Sequence, residues 1–172
     1  MPEITLACSA VTLVSPVDYP VLIQYRWRAN RHTASGLPYV CRSTVIDDVR
    51  TTVYMHREIA QAPPTLRVDH KDRDTLNNRR SNLRLASFEQ NNANRAGFGL
   101  VPYKGVSRRG RRFRARINID EQELFLGYFD TAEAAALAYD RRAFEAYGAF
   151  AYLNFPERFS GHPPEEAAEI PF

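Results

Sequence analysis

Cysteine is scarce: the 172 residues contain two, Cys8 and Cys41, far apart and in no Cys-x-x-Cys pair. A disulfide framework and a structural zinc are therefore not supported, and reduced thiols fit a cytoplasmic setting. Long hydrophobic runs are missing as well. None approaches the roughly 20 apolar residues that a bilayer-spanning helix needs. The first residues carry no basic region followed by an apolar stretch and a cleavage site, so the expectation is a cytoplasmic chain with no membrane partner. The third absence is acid. Residues 101–119 hold seven basic side chains and no Asp or Glu, while residues 120–172 hold eleven acidic against three basic ones. The formal net charge of +3 hides this polarity, and the acid-free stretch suits a polyanion, DNA or RNA.

What is present divides into short units. A content of 44% hydrophobic and 12% aromatic residues is enough to bury a core, but the length favours small units over a single large one. The expected fold class is α+β. Residues 1–62 read as a small α+β lead-in: strands at 4–6 and 11–14, a helix over 19–27 with Asp18 as N-cap and Pro20 in its first turn, strands at 38–42 and 51–55, and a short helix at 56–61 stopped by Pro63 and Pro64. Residues 63–95 then run strand (66–69), polar loop (71–81), strand (83–86), helix (88–95), with Ser87 and Gln90 forming a capping-box signature. Gly97 and Gly99 mark a linker over 96–102. A third unit, 103–156, alternates Arg112, Arg114 and Arg116 with Phe113, Ala115 and Ile117 at the period of a half-buried strand. A second strand follows at 123–129, then a helix at 131–147 begun by Thr131 and ended by Gly148. Residues 157–172, rich in proline and glutamate, are expected to be disordered.

The chemistry concentrates between residues 68 and 91. Phosphodiester hydrolysis needs a water made nucleophilic near neutral pH, a cation against the scissile phosphate, and stabilisation of the departing oxygen. His70 has the titration range of a general base. Asp69 beside it is a hard oxygen ligand for Mg2+ or Mn2+, and Asn91, early in the helix that Ser87 opens, can offer a second oxygen. Taken with Asn77-Asn78-Arg79-Arg80-Ser81-Asn82-Leu83-Arg84 and Glu89-Gln90-Asn91, the segment resembles the HNH homing endonucleases, in the phage and intron-encoded group whose last ligand is Asn instead of His. The resemblance implies a ββα-metal core over 63–95. In it Asp69 and Asn91 ligate the metal, His70 is the base, and Asn82 braces the loop that orients it. Upstream, Tyr54-Met55-His56-Arg57 looks like the family's His-Arg pair, and residues 18–27 like its N-terminal helix, so the likeness covers about 3–95. His56 itself reads as a packing histidine. Asn77, Asn78 and Asn94 read as loop and helix-end hydrogen-bonders, with Asn94 a distant second choice of ligand.

A second resemblance covers 103–156. Tyr103-Lys104-Gly105-Val106, Phe125-Leu126-Gly127-Tyr128-Phe129, Thr131-Ala132-Glu133-Ala134-Ala135, Ala138-Tyr139-Asp140 and Leu153-Asn154-Phe155-Pro156 resemble the plant APETALA/ethylene-response-factor DNA-binding domain. That likeness implies a three-stranded antiparallel sheet laid in the major groove and backed by one helix. Positions matching its DNA-contacting face are Lys104, Ser107, Arg109, Arg116, Asn118, Glu123, Phe125 and Tyr139. Ser107 and Glu123 stand where arginine is usual and Arg116 where glutamate is, so the plant target sequence does not carry over. The DNA-binding residues expected are Lys104, Arg108, Arg109, Arg112, Arg114, Arg116, Asn118 and Phe125. The function these expectations add up to is a monomeric, metal-dependent endonuclease that recognises a site on double-stranded DNA and nicks it, of phage or mobile-element origin and acting in a bacterial cytoplasm. The rivals are a non-enzymatic DNA-binding regulator with a degenerate nuclease core and, more weakly, a nonspecific nuclease toxin.

Overall fold

Short apolar-polar alternations separated by turn residues leave no element in the first half of the chain long enough to bury itself. Its core is assembled from many small pieces instead. The computed structural model describes residues 2–31, 36–97 and 99–159, and the chain divides into two units, Met1–Ser87 and Phe88–Phe172. The α+β class expected from sequence is what is observed, and no helix among the described residues is long and apolar enough to cross a membrane.

In the first unit, β1 (Glu3–Thr5) and β2 (Val11–Val14) pair antiparallel. A two-residue strand, β7 (Asn77–Asn78), joins the other edge of β2 in parallel register. Strands β3 (Arg28–Arg31), β4 (Pro38–Ile46) and β5 (Val49–Tyr54) form an antiparallel sheet whose last hairpin turns at Asp47 and Asp48, both at positive φ. Aspartate tolerates that conformation better than most residues, and consecutive positive φ values match the twist of a two-residue hairpin. Helix α2 (Met55–Ile59) follows, then β6 (Arg67–His70) and β8 (Leu83–Ala86), which pair antiparallel across the 71–82 loop. Ile4, Val14, Leu22, Trp27, Val40, Met55, Ile59, Val68 and Leu83 gather into one buried cluster.

The helix expected over 19–27 is a single turn, α1 (Tyr19–Leu22). Asp18 makes no side-chain cap; its carboxylate instead takes the Arg80 guanidinium at 2.7 Å. Trp27 is drawn into the core with its indole N–H donating to Leu22 O at 2.8 Å. The chain leaves the helix early to seat that ring, and the following residues become β3, a strand that periodicity did not reveal.

In the second unit, α3 (Phe88–Ala93) precedes a sheet of β9 (Val106–Arg109), β10 (Arg112–Ile119) and β11 (Gln122–Phe129), ordered β11-β10-β9 and antiparallel throughout. Helix α4 (Ala132–Tyr147) lies on this sheet. Thr131 caps it by accepting from the Ala134 N–H at 3.1 Å, and Gly148, at φ +50°, ends it. Ala115, Ala135, Ala136 and Ala143 are buried, and these small side chains let helix and sheet approach closely. Gly105 is required for the same reason: a Cβ there would stand 2.0 Å from the Tyr139 ring. Asp140, fully buried, accepts from the Asn154 N–H and amide and from the Phe155 N–H at 2.8–2.9 Å, so residues 154–155 are stitched to α4. Burial pushes its carboxyl up, against these hydrogen bonds, which pull it down. Of residues 157–172, expected to be disordered, Glu157 and Arg158 complete a 3-10 turn that begins at Pro156, and 160–172 lie outside the described residues.

Candidate functional site

Strand β6 places Val68, Asp69 and His70 in succession, and all three are buried. Antiparallel register puts Arg84 of β8 directly opposite Asp69. Its Nε and Nη2 both reach Asp69 Oδ2, at 2.8 and 2.7 Å. Sequence reasoning assigned no role to Arg84; the cross-strand pairing of two antiparallel strands is the signal that would have found it.

His70 faces the other side of the strand. Its Nε2 lies 3.3 Å from Asn78 Oδ1. The Asn78 amide is committed as donor to Thr12 Oγ1 at 2.9 Å and to Thr75 O at 3.4 Å, while the Thr12 hydroxyl donates to Leu76 O at 2.7 Å. With the amide nitrogen spent on oxygen acceptors, Asn78 Oδ1 must accept. A neutral His70 therefore carries its proton on Nε2, which leaves the Nδ1 lone pair as the basic site. Burial holds the His70 pKa below its ordinary value, against the opposing pull of Asn78, Asp69, Asp72 and Asp74, and so favours the neutral, proton-accepting ring. Asn78 was read from sequence as a loop hydrogen-bonder. The structure makes it the residue that fixes the histidine.

Asn82 sits buried at the foot of the loop and closes it. Its amide donates to Asp72 Oδ1 and to Asn77 O, each at 2.8 Å, and its oxygen accepts from the Asp72 N–H at 3.1 Å. Burial works to raise the Asp72 pKa, but hydrogen bonds from Asn77, the Asp74 N–H and Asn82 bring it below the usual carboxylate value. His56 of α2 is buried with its ring centroid 5.4 Å from that of His70, and Tyr39 and Tyr54 lie against it at 5.3 and 5.7 Å. Burial, then the neighbouring His70 and Arg57, hold its pKa down to about 3, and its Nδ1 has no hydrogen-bond partner. It packs as a neutral ring, here directly against the candidate base.

No three His, Cys, Asp or Glu side chains among the described residues gather into a metal-holding group. A hard divalent ion that keeps most of its water shell needs no such cluster, and the buried Asp69 carboxylate beside the candidate base is the kind of donor it takes. Asn91, the other expected ligand, is half-buried on α3 in the second unit.

In the second unit, parity along β10 runs as the sequence alternation suggests. Ala115 and Ile117 are buried against α4, while Arg112 and Arg116 are exposed. A bulge in β11 lets Ala115 face Gly127 and Arg116 face Phe125, which leaves Phe125 exposed at 56% and in edge contact with Tyr128. Asn118, also exposed, faces Glu123. The arginines do have counter-charges, supplied by the neighbouring strand. Glu123 bonds both Arg114 and Arg116, and Arg112 lies 3.3 Å from Asp130 and donates to Tyr128 O. Arg108 donates to Gly110 O from an exposed position, and Arg109 is exposed. Lys104 differs from the others. Its ammonium donates to Ala93 O at 2.6 Å, at the end of α3, and lies over the Tyr152 ring at 5.5 Å.

Comparison with known proteins divides in a similar way. The family model described as HNH endonuclease matches residues 54–93. An uncharacterized HNH endonuclease of Acanthamoeba polyphaga mimivirus is 29% identical over 144 residues, 82% of this chain and 73% of that protein. Dehydration-responsive element-binding protein 2E of Arabidopsis thaliana is 53% identical over 49 residues, 28% of this chain and 20% of that protein. Ethylene-responsive transcription factor 1 of Solanum lycopersicum is 40% identical over 67 residues, 37% of this chain and 28% of that protein. The match to each plant protein thus covers less than a third of its length. Residues 54–93 are thus similar to HNH endonucleases, and stretches of 49 and 67 residues are similar to plant element-binding and transcription factors.

Proposed function

We propose that this protein is a divalent-metal-dependent DNA endonuclease that nicks one strand of a duplex, at sites selected by the outward face of its C-terminal sheet. The observation that carries the catalytic half is the His70–Asn78 pair, because it leaves a neutral imidazole with Nδ1 as proton acceptor next to a buried carboxylate. His70 Nδ1 takes a proton from water as the water oxygen bonds to phosphorus. The bond from phosphorus to the departing sugar oxygen breaks, and that oxygen leaves with the electron pair and is protonated. Asn78 keeps the ring in register during the transfer, and Asn82 holds the loop that presents it. Asp69 would hold the Mg2+ or Mn2+ ion, whose charge offsets that of the phosphate and the departing oxygen. Arg84 holds the Asp69 carboxylate in place through two N–H groups on Oδ2.

The one candidate base identified among the described residues supports nicking by a monomer. Recognition falls to Arg108, Arg109, Arg112, Arg114, Arg116, Asn118 and Phe125, while Lys104 spends its ammonium on α3. The plant proteins named for element binding support a DNA partner for this sheet, and the mimiviral relative supports a viral or mobile-element origin. The test is cleavage of supercoiled plasmid with Mg2+ and with EDTA. Accumulation of open circles with Mg2+ alone is the expected result. Absence of cutting, or cutting that persists in EDTA, would overturn the proposal.

A further inference from the structure

The C-terminal sheet carries one acidic side chain on its three strands, Glu123, and it stands on the face that also bears the exposed arginines. Its two carboxylate oxygens are divided between two guanidiniums: Arg114 through Nη2 and Arg116 through Nη1. The side chains differ in cover, with 21% of Arg114, 50% of Arg116 and 42% of Glu123 exposed. Such a half-exposed ion pair adds little to fold stability. On a surface that meets a polyanion it carries a clear penalty, since it repels phosphate and cancels one of two positive charges. A carboxylate has one favourable use in a major groove, which is to accept from an exocyclic amino group, above all N4 of cytosine. Each arginine it holds has further N–H groups directed away from it, in the fork that matches the O6 and N7 edge of guanine. A guanidinium held by a carboxylate also loses less rotamer freedom when it binds.

We propose that Glu123 is the specificity-determining residue of this sheet. It withholds Arg114 and Arg116 from sequence-independent phosphate contacts, holds them toward base edges, and itself accepts from a base amino group. The inference rests on the reading of this sheet as a DNA-binding surface. Its consequence is counter-intuitive: removing the acid strengthens binding and weakens choice. Two released arginines are free to meet phosphates, and each added phosphate contact steepens the dependence of affinity on salt.

The experiment uses the full chain without divalent metal, as wild type, Glu123→Gln and Glu123→Ala. Duplex affinity is measured by fluorescence anisotropy over a range of NaCl concentrations, and the preferred sequence by selection from a randomised duplex pool. The expected result for both variants is binding to scrambled duplex roughly tenfold tighter at low salt, with a log–log salt slope steeper by about one to two units. The selected consensus should also lose its preference at a C·G or adjacent G·C position. Wild-type duplex binding with unchanged affinity, slope and consensus in both variants overturns the role of Glu123 alone. If the wild type binds no duplex at low salt, the DNA-binding reading falls and takes this inference with it.

Discussion

The two units place their polar groups in opposite locations. Residues 1–87 bury Thr12, His56, Asp69, His70, Thr75, Asn78 and Asn82 in and around an apolar cluster, whereas the second unit buries alanines, Ile117 and Tyr139, with Asp140 and Asn94 as its buried polar residues. Its sheet carries Arg112, Arg116 and Glu123 exposed on the outward face instead. A reacting group has to be partly desolvated and held at one geometry before substrate arrives, and buried hydrogen bonds do that. A recognition group has to remain exposed and exchange water for bases and phosphates. The contrast separates, residue by residue, those expected to govern rate from those expected to govern affinity.

The sharpest break of that contrast is at His70. Replacing it with Ala should reduce plasmid nicking by about a hundredfold to ten-thousandfold while duplex affinity stays within roughly twofold, because a base acts on water and contributes little to binding. Nicking at the wild-type rate would remove His70 from the mechanism. Asn78→Ala tests the next layer. It leaves the Thr12 hydroxyl and His70 Nε2 without their shared partner, so stability should fall by about 1–3 kcal/mol. The nicking rate should fall by more than the folded fraction does. Denaturant midpoints measured beside initial rates separate the two effects, and a rate that simply tracks folding would reduce Asn78 to a packing role.

Asp140→Ala carries the same logic to the second unit. The change strands three donors, the Asn154 N–H and amide and the Phe155 N–H, and should cost about 1–3 kcal/mol. DNA affinity should be lost on heating before plasmid nicking is, and simultaneous loss would show that the units melt together. The smallest effect is expected at Arg112, an exposed side chain 3.3 Å from Asp130. Arg112→Ala should lower the salt slope by about one unit and weaken binding to matched and scrambled duplexes equally. No change on either duplex would leave this arginine merely solvated.

Much of this was legible in the sequence where the cause is local. Strand β8 and helix α4 came out within a residue of their limits because alternation, the Thr131 cap and Gly148 lie next to what they terminate. Asp69, His70 and Asn82 were legible as a motif, and the structure places all three in the first unit, buried and hydrogen-bonded. What escaped depends on pairing between distant segments. The importance of Asn78 comes from β7 lying parallel to β2, and that of Arg84 from the register of β6 against β8. Glu123 was legible as a residue of the outward face, but its pairing with Arg114 and Arg116 was not, because antiparallel register brings it opposite Asn118 and beside those arginines. The short α1 escaped because Trp27, which lies beyond it, decides its end, and Arg80, 62 positions away, takes the carboxylate expected to cap its start.

The bond between Asn78 and Thr12 spans 66 positions of chain. Long loops close late, since their ordering entropy is spent before any contact repays it. The histidine is therefore set in its working tautomer only when the N-terminal hairpin has come home against the loop, after β6 and β8 have had the chance to pair over their own short connection. Until then the chain holds every catalytic side chain and lacks the arrangement. This amounts to a latency written into the order of assembly: a copy whose N-terminal hairpin has not docked lacks the bond that orients the candidate base.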